Sequence, residues 1–219
     1  MLATNILYLT ICLHFTIALA NWARKPSFKK SSESSESSEE EDKVNCWIKA
    51  NQDEIVNLHN LERSKVKPEA SDMRKVSWCK DAARNAQRVA NECSDDHSHP
   101  GKRYIKKPIF ENCGENYYFS SVKVTWDCPL RSWCKEKDDF IYGEGPRGGA
   151  ITGHYTQVVW SDSYLIGCAY AECENLDYPH FYVCHYCPAG NSGTKDKKPY
   201  AKGKSCSKCK GRCENKLCV

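Results

Sequence analysis

The sequence predicts an α+β domain, helices first and strands later, ending in a small cross-linked knob. Three observations carry that class. Apolar residues recur at helical spacing up to about residue 93, whereas beyond about residue 155 they alternate or run together in β-branched and aromatic segments. Four cysteines (Cys206, Cys209, Cys213, Cys218) then crowd into a C-x2-C-x3-C-x4-C tail. So short a segment cannot own a hydrophobic core and depends on covalent cross-links.

Taken in order, residues 1–20 read as a signal peptide. Ile6 to Ala20 is almost entirely apolar and ends in Ala18-Leu19-Ala20, a small-x-small cleavage site, although no lysine or arginine precedes the run. The run is too short to span a bilayer comfortably, and no other stretch approaches the ~20 apolar residues of a transmembrane helix. The remainder is therefore expected to be secreted and extracellular, without a transmembrane segment. Cys12 departs with the leader, and the fourteen remaining cysteines are an even number compatible with complete pairing. An oxidising compartment also favours disulfides over zinc in the tail.

Residues 21–43 contain almost no apolar side chains and are expected to be disordered. Ser31, Ser34, Ser37 and Ser38 each have glutamate two residues later, a pattern that suits secretory casein kinases. Phosphates there would add roughly −1.5 to −2 charges each and build a calcium-binding tract. The main domain is expected over 44–192. A helical period begins near Trp47 and places Ile55, Leu58, His59 and Glu62 on one face. Ala82, Ala83, Ala86, Val89, Ala90 and Cys93 form a second helical stripe within Asp81–Cys93. A short helix is expected through Leu130–Phe140, a loop at Gly143–Gly149, and strands at Tyr155–Trp160, Leu165–Ala171 and His180–Cys187. Residues 193–205 read as a linker and 206–219 as the cross-linked tail.

Charge is distributed unevenly. Residues 31–42 carry six acidic and no basic side chains, whereas 193–219 carry nine basic and two acidic ones. In an extracellular protein no nucleic-acid partner is expected; a sulfated glycan, an anionic lipid or an acidic receptor surface is more accessible to such a tail. No N-x-S/T acceptor occurs.

Two long motifs, Gly153-His154-Tyr155-Thr156-Gln157-Val158-Val159-Trp160 and Phe181-Tyr182-Val183-Cys184-His185-Tyr186-Cys187-Pro188-Ala189-Gly190-Asn191, closely resemble the signatures of the CAP superfamily (cysteine-rich secretory proteins, antigen 5, pathogenesis-related 1). Supporting matches are His59-Asn60 with Arg63, Cys93-x3-His97-Ser98, Cys113-Gly114-Glu115-Asn116, and Ser132-Trp133 with Glu136. The tail resembles the hinge of the cysteine-rich secretory subgroup, so the resemblance covers about 44–218. It implies an α-β-α sandwich with a disulfide-rich hinge, and the bonds Cys93–Cys173, Cys113–Cys187, Cys168–Cys184, Cys206–Cys213 and Cys209–Cys218. Cys46, Cys79, Cys128 and Cys134 have no counterpart in that pattern; they are expected to form two further bonds, with three pairings open. The chain stops at Val219, where full-length members continue into an ion-channel regulatory region, so it resembles the members truncated after the hinge and channel block is not carried over.

The resemblance also places His97, Glu115, Glu136 and His154 in a cleft, with the two histidines able to ligate a divalent cation such as Zn2+. Imidazole suits zinc, and the carboxylates can complete or orient its sphere. The alternative is a hydrogen-bonded polar network that only holds the fold. His59 is expected to be structural, His99 to lie at the surface, His185 to be fixed by local packing, and Tyr117, Tyr118 and Phe119 to form core or cleft wall. No H-E-x-x-H and no G-x-S-x-G is present, so no catalytic residue is assigned. The expected function is that of a secreted, non-enzymatic ligand of a cell-surface receptor or matrix glycan, including a gamete-directed signal in a reproductive secretion. Its rivals are a sterol or lipid carrier, a gland-secreted toxin or defence protein, and a metal-dependent hydrolase with Glu115 or Glu136 as base.

Overall fold

The structure, a computed structural model, describes residues 51–193 and 197–219. The signal peptide, the serine-glutamate tract with its four serines, the start of the first helix and Cys46 lie outside the described residues. Helix α1 runs through 51–64, α2 is Lys80–Ala90, α3 is Asp127–Lys135 and α4 is Gly153–Val158. A mixed sheet is built from β1 (Ser77–Trp78), β2 (Gly114–Ser120), β3 (Leu165–Glu172) and β4 (His180–Cys187) in the order β1-β3-β4-β2. Only the β1–β3 pairing is parallel.

Alternation along the strands divides the core. Tyr186, Cys184, Ile166 and Cys168 face one side and join Ile55 of α1, Leu130 and Trp133 of α3, and Tyr155 and Val158 of α4. Phe181, Val183, Ala169 and Tyr117 face the other and meet Ala86, Val89 and Ala90 of α2. This is the α-β-α sandwich that the resemblance implies. Small side chains on α2 let it sit close to the sheet, and Gly167 of β3 marks the tightest point. A Cβ there would lie 2.1 Å from the Ala83 amide nitrogen and 2.7 Å from the Cys79 carbonyl oxygen, so only glycine fits.

Two expected elements need correction, and one strand was not expected. Residues 155–160, expected as a strand, are mostly helical: Gly153–Val158 is α4. Tyr155 through Trp160 are all buried, so the segment lacks the polar face from which a period of 3.6 is recognised. The helix expected at Leu130–Phe140 starts earlier and ends at Lys135; a 3-10 turn, Glu136–Asp139, follows, and Phe140 begins a two-residue strand. Strand β2 had no counterpart in the sequence reading, which took its aromatics as core or cleft wall.

Covalent pairing was partly legible. The structure contains Cys93–Cys173, Cys113–Cys187, Cys168–Cys184, Cys206–Cys213 and Cys209–Cys218. Complete pairing is overturned, because Cys79 and Cys134 are free and buried. They sit in different core clusters, Cys79 with Ala82 and Ile105 on the α2 side and Cys134 with Tyr155 and Tyr186 on the other, so the sheet separates them. None of the three pairings of the four additional cysteines survives. Cys128 is disulfide-bonded. Burial pushes the Cys134 thiol far above its ordinary pKa, which makes it an inert core residue.

The stretch read as a linker lies against the domain. Tyr200 is buried in the main core, Ser161 donates its amide to the Pro199 carbonyl, and the Tyr142 hydroxyl donates to the Tyr200 carbonyl. Beyond it, Leu217 is buried in the same core, the Cys218 amide donates to the Met73 carbonyl, and the Lys75 amide donates to the Cys218 carbonyl. The cross-linked tail thus borrows the core it cannot build.

Candidate functional site

The four residues of the expected metal tetrad come together as two histidine–glutamate pairs flanking the edge strand β2. Glu115, second residue of that strand, has a fully buried side chain. It accepts from His97 Nδ1 at 2.9 Å, the Ser98 amide at 3.0 Å, Ser98 Oγ at 2.6 Å and His185 Nε2 at 3.0 Å, with the Arg103 guanidinium 4.0 Å away. Burial alone would raise its pKa, but the hydrogen bonds from His185, His97 and Ser98 outweigh that and hold the carboxyl well below the usual range. Glu115 is therefore ionised.

His185 was expected to be a matter of local packing, yet it belongs to this group. The strand register sets it directly opposite Glu115. Complete burial lowers its pKa despite the neighbouring carboxylate, so the ring is neutral and donates its Nε2 hydrogen to Glu115. Its Nδ1 is then a buried acceptor with no hydrogen-bond partner among the described residues.

The second pair occupies the other face. Glu136, at the C-terminal end of α3, accepts from His154 Nδ1 at 2.6 Å and from the Tyr155 amide at 2.9 Å. His154 lies in the first turn of α4, and Asn116, next to Glu115, donates to its carbonyl at 3.1 Å. Gly114, where β2 begins, presses so closely on Gln157 of α4 that a Cβ would lie 1.9 Å from its amide oxygen. A chain of rings completes the link between the pairs. His97 stacks on Tyr117, Trp133 Nε1 donates to the Tyr117 carbonyl at 2.9 Å, and Trp133 stacks with His154. The indole also occupies a backbone acceptor on the edge strand that would otherwise be open to pairing.

Each carboxylate thus engages Nδ1 of its histidine and a backbone amide, leaving Nε2 of His97 and of His154 as the outward nitrogen. That is how a carboxylate orients an imidazole toward a metal. By chemistry the two imidazoles suit a divalent cation such as zinc. Of the two roles expected for the carboxylates, completing or orienting the sphere, the contacts of Glu115 match the orienting one, since both its oxygens accept hydrogen bonds. Among the described residues, no group of three or more His, Cys, Asp or Glu side chains is arranged to hold a metal ion. His59 is a buried structural residue bonded to the Ile55 carbonyl and the Tyr186 hydroxyl, and His99 is exposed and accepts from the Gly101 amide.

These features define a class. Residues 56–186 match the family model described as CAP, cysteine-rich secretory protein family, and the chain belongs to that family. It is 45% identical to allurin of Xenopus tropicalis over 168 residues, spanning 77% of this chain and 82% of that one. Cysteine-rich secretory protein 2 of Cavia porcellus is 47% identical over 170 residues, 77% of this chain and 68% of the relative. Among solved structures, NaASP2 with Zn2+ superposes with a TM-score of 0.62 at 28% identity, covering 77% of this chain and 94% of that one. The disulfides fit an oxidising extracellular compartment. Among the described residues no helix is long and apolar enough to cross a membrane.

Proposed function

We propose that this protein is secreted and acts without catalysis, as a disulfide-locked extracellular ligand recognised by a cell-surface partner, with sperm as the first target to test. The observation that carries the non-enzymatic part is the state of Glu115. A general base works best with a pKa near the working pH, and this carboxylate is ionised, fully hydrogen-bonded and held far below that. Ser98 Oγ is buried and donates to the same carboxylate, so it is no nucleophile awaiting activation. The gamete-directed part rests on similarity to allurin and to cysteine-rich secretory protein 2. Fluorescently labelled protein is expected to bind sperm of the source animal saturably, with excess unlabelled protein displacing it. Absence of saturable binding, together with displacement of a labelled sterol by the same preparation, would move the protein to the carrier reading. Peptide and ester substrates should show no turnover with or without zinc. Turnover abolished by Glu115→Gln would overturn the non-enzymatic assignment.

Zinc is read as a ligand of His97 and His154, where it would supply a positive charge at the surface of the cleft. The similarity to a zinc-bound structure supports this. In calorimetric titration with zinc chloride, His97→Ala and His154→Ala are each expected to abolish the strongest binding. Glu136→Gln, which only orients, is expected to weaken it by about 10- to 100-fold. Unchanged titrations in both histidine variants would remove the metal from this cleft.

A further inference from the structure

The lysine-rich tail is not a loose linker. Its backbone is fastened to the domain at several points: the Ser71 amide to the Ala201 carbonyl, the Gly203 amide to the Glu69 carbonyl, the Lys208 amide to the Ser71 carbonyl, and the Cys218 amide to the Met73 carbonyl. Cys206–Cys213 and Cys209–Cys218 cross-link it internally. On this clamped segment the cations divide into two sets. Lys216 pairs with Glu69, and Arg212 with Glu214, which also holds Lys75. Lys202, Lys204, Lys208 and Lys210 are exposed and have no ion pair among the described residues.

We propose that these unpaired lysines of the clamped tail form a binding site for a sulfated glycosaminoglycan chain. The inference rests on the extracellular-ligand reading and gives one partner a chemistry and a place, apart from the histidine cleft. A polyanion fits because the local charge is strongly one-sided, nine basic against two acidic side chains over 193–219. Clamping matters because lysines on a flexible chain pay an ordering cost on binding, whereas here the backbone is already fixed and only side-chain freedom is lost. A membrane fits less well. Leu217, the tail's leucine, is buried, which leaves Val219 as its one exposed large apolar side chain; interfacial anchoring needs buried apolar area as well as charge.

The test uses the full-length secreted protein, heparin as probe, and calorimetry at about 0.15 M salt, where charges more than ~8 Å apart are largely screened. Binding is expected, and Lys204→Gln, Lys208→Gln and Lys210→Gln together should weaken it at least tenfold. The matched variant carrying Lys80→Gln, Lys106→Gln and Lys107→Gln removes equal charge from exposed positions outside the tail and should lose less than about threefold. Desulfated heparin should fail to bind. Equal losses in the two triple variants would reduce the site to net charge and overturn the proposal. So would absence of heparin binding, or tail-dependent binding to phosphatidylserine vesicles in its place. Heparin binding that persists where sperm binding is absent would sink the gamete reading and leave this site standing; sperm binding undiminished by the tail triple and by heparinase treatment would do the reverse.

Discussion

Replacing Arg63 by methionine is expected to lower unfolding free energy by about 4 kcal/mol or more, with the m-value unchanged. Arg63 is among the largest fully buried side chains, and the Asp72 and Asp162 carboxylates act on it only as nearby charges among the described contacts. Its guanidinium instead donates to backbone carbonyls: Nε and Nη2 to Arg74 at 2.9 and 2.7 Å, Nη1 to Val158 and Trp160 at 2.9 and 2.8 Å, and Nη2 to Ser163 at 2.9 Å. The connection from α4 to β3 and the segment leading into β1 are thus held by one cation on α1. Burial lowers the Arg63 pKa to about 9, which still leaves it charged at neutral pH. Methionine would fill much of the space but leave several buried carbonyls without donors, each costing about 1–3 kcal/mol. Lysine keeps the charge, yet a single ammonium cannot span acceptors arranged for a planar fork, so Arg63→Lys should still lose about 2 kcal/mol. Urea unfolding followed by tryptophan fluorescence, with disulfides intact, reads both variants. A loss below about 1 kcal/mol for methionine would mean that these carbonyls find other partners and that the arginine is not the staple.

Arg63 also shows what a sequence hides. It is a charged residue on a helix, and nothing in its spacing says that it points inward at carbonyls. Elsewhere legibility followed periodicity. Helix α2 was readable from small residues recurring at helical spacing, and strands β3 and β4 from eight-residue runs rich in apolar and aromatic side chains. Helix α4 was not, because Tyr155 to Val158, four of its six residues, are buried in succession and carry no amphipathic signal. Strand β2 and the role of His185 were missed although a signal existed. If Cys113 is bonded to Cys187, an antiparallel ladder through that pair sets Gly114 against Tyr186 and Glu115 against His185, which is the observed register. The carboxylates were found as residues, with completing and orienting the sphere both left open. Which oxygens are already occupied by Ser98, Tyr155 and the histidines is a tertiary fact. Cys79 and Cys134 failed for another reason, since an even count is equally consistent with full pairing and with two thiols on opposite sides of a sheet. The Gly, Lys and Pro content of 193–205 suggested a linker, and its attachment through the buried ring of Tyr200 and backbone hydrogen bonds at Pro199, Ala201 and Gly203 is a tertiary fact.

Acidification is expected to destabilise the fold well before carboxylates titrate, through two buried neutral histidines. His59 donates from Nδ1 to the Ile55 carbonyl and accepts at Nε2 from the Tyr186 hydroxyl, so both ring nitrogens are satisfied only in the neutral form. Burial, aided by the nearby Arg63 charge, lowers its pKa to about 4 against the hydrogen bond to Ile55. Between that value and the ordinary one near 6.5 the unfolded chain binds a proton that the folded chain refuses. Stability from this residue is therefore complete above about pH 6.5 and falls as pH drops toward 4, by roughly 1.4 kcal/mol per pH unit. At pH 5 the loss from His59 alone is about 2 kcal/mol. His185 shifts in the same direction and steepens the slope. Glu115 adds to the decline from the ordinary carboxylate range downward, because there the unfolded chain takes up a proton that the hydrogen-bonded carboxylate of the folded protein still refuses. Unfolding free energies measured in urea from pH 7.5 to 4.5 should show this decline, and His59→Gln should flatten it by about one proton. The slope, not the absolute stability, is the readout, because the variant carries its own packing cost at every pH. A slope unchanged in His59→Gln, with the wild-type decline intact, would show that His59 is protonated in the folded protein and that Tyr186 or Ile55 does not hold it neutral.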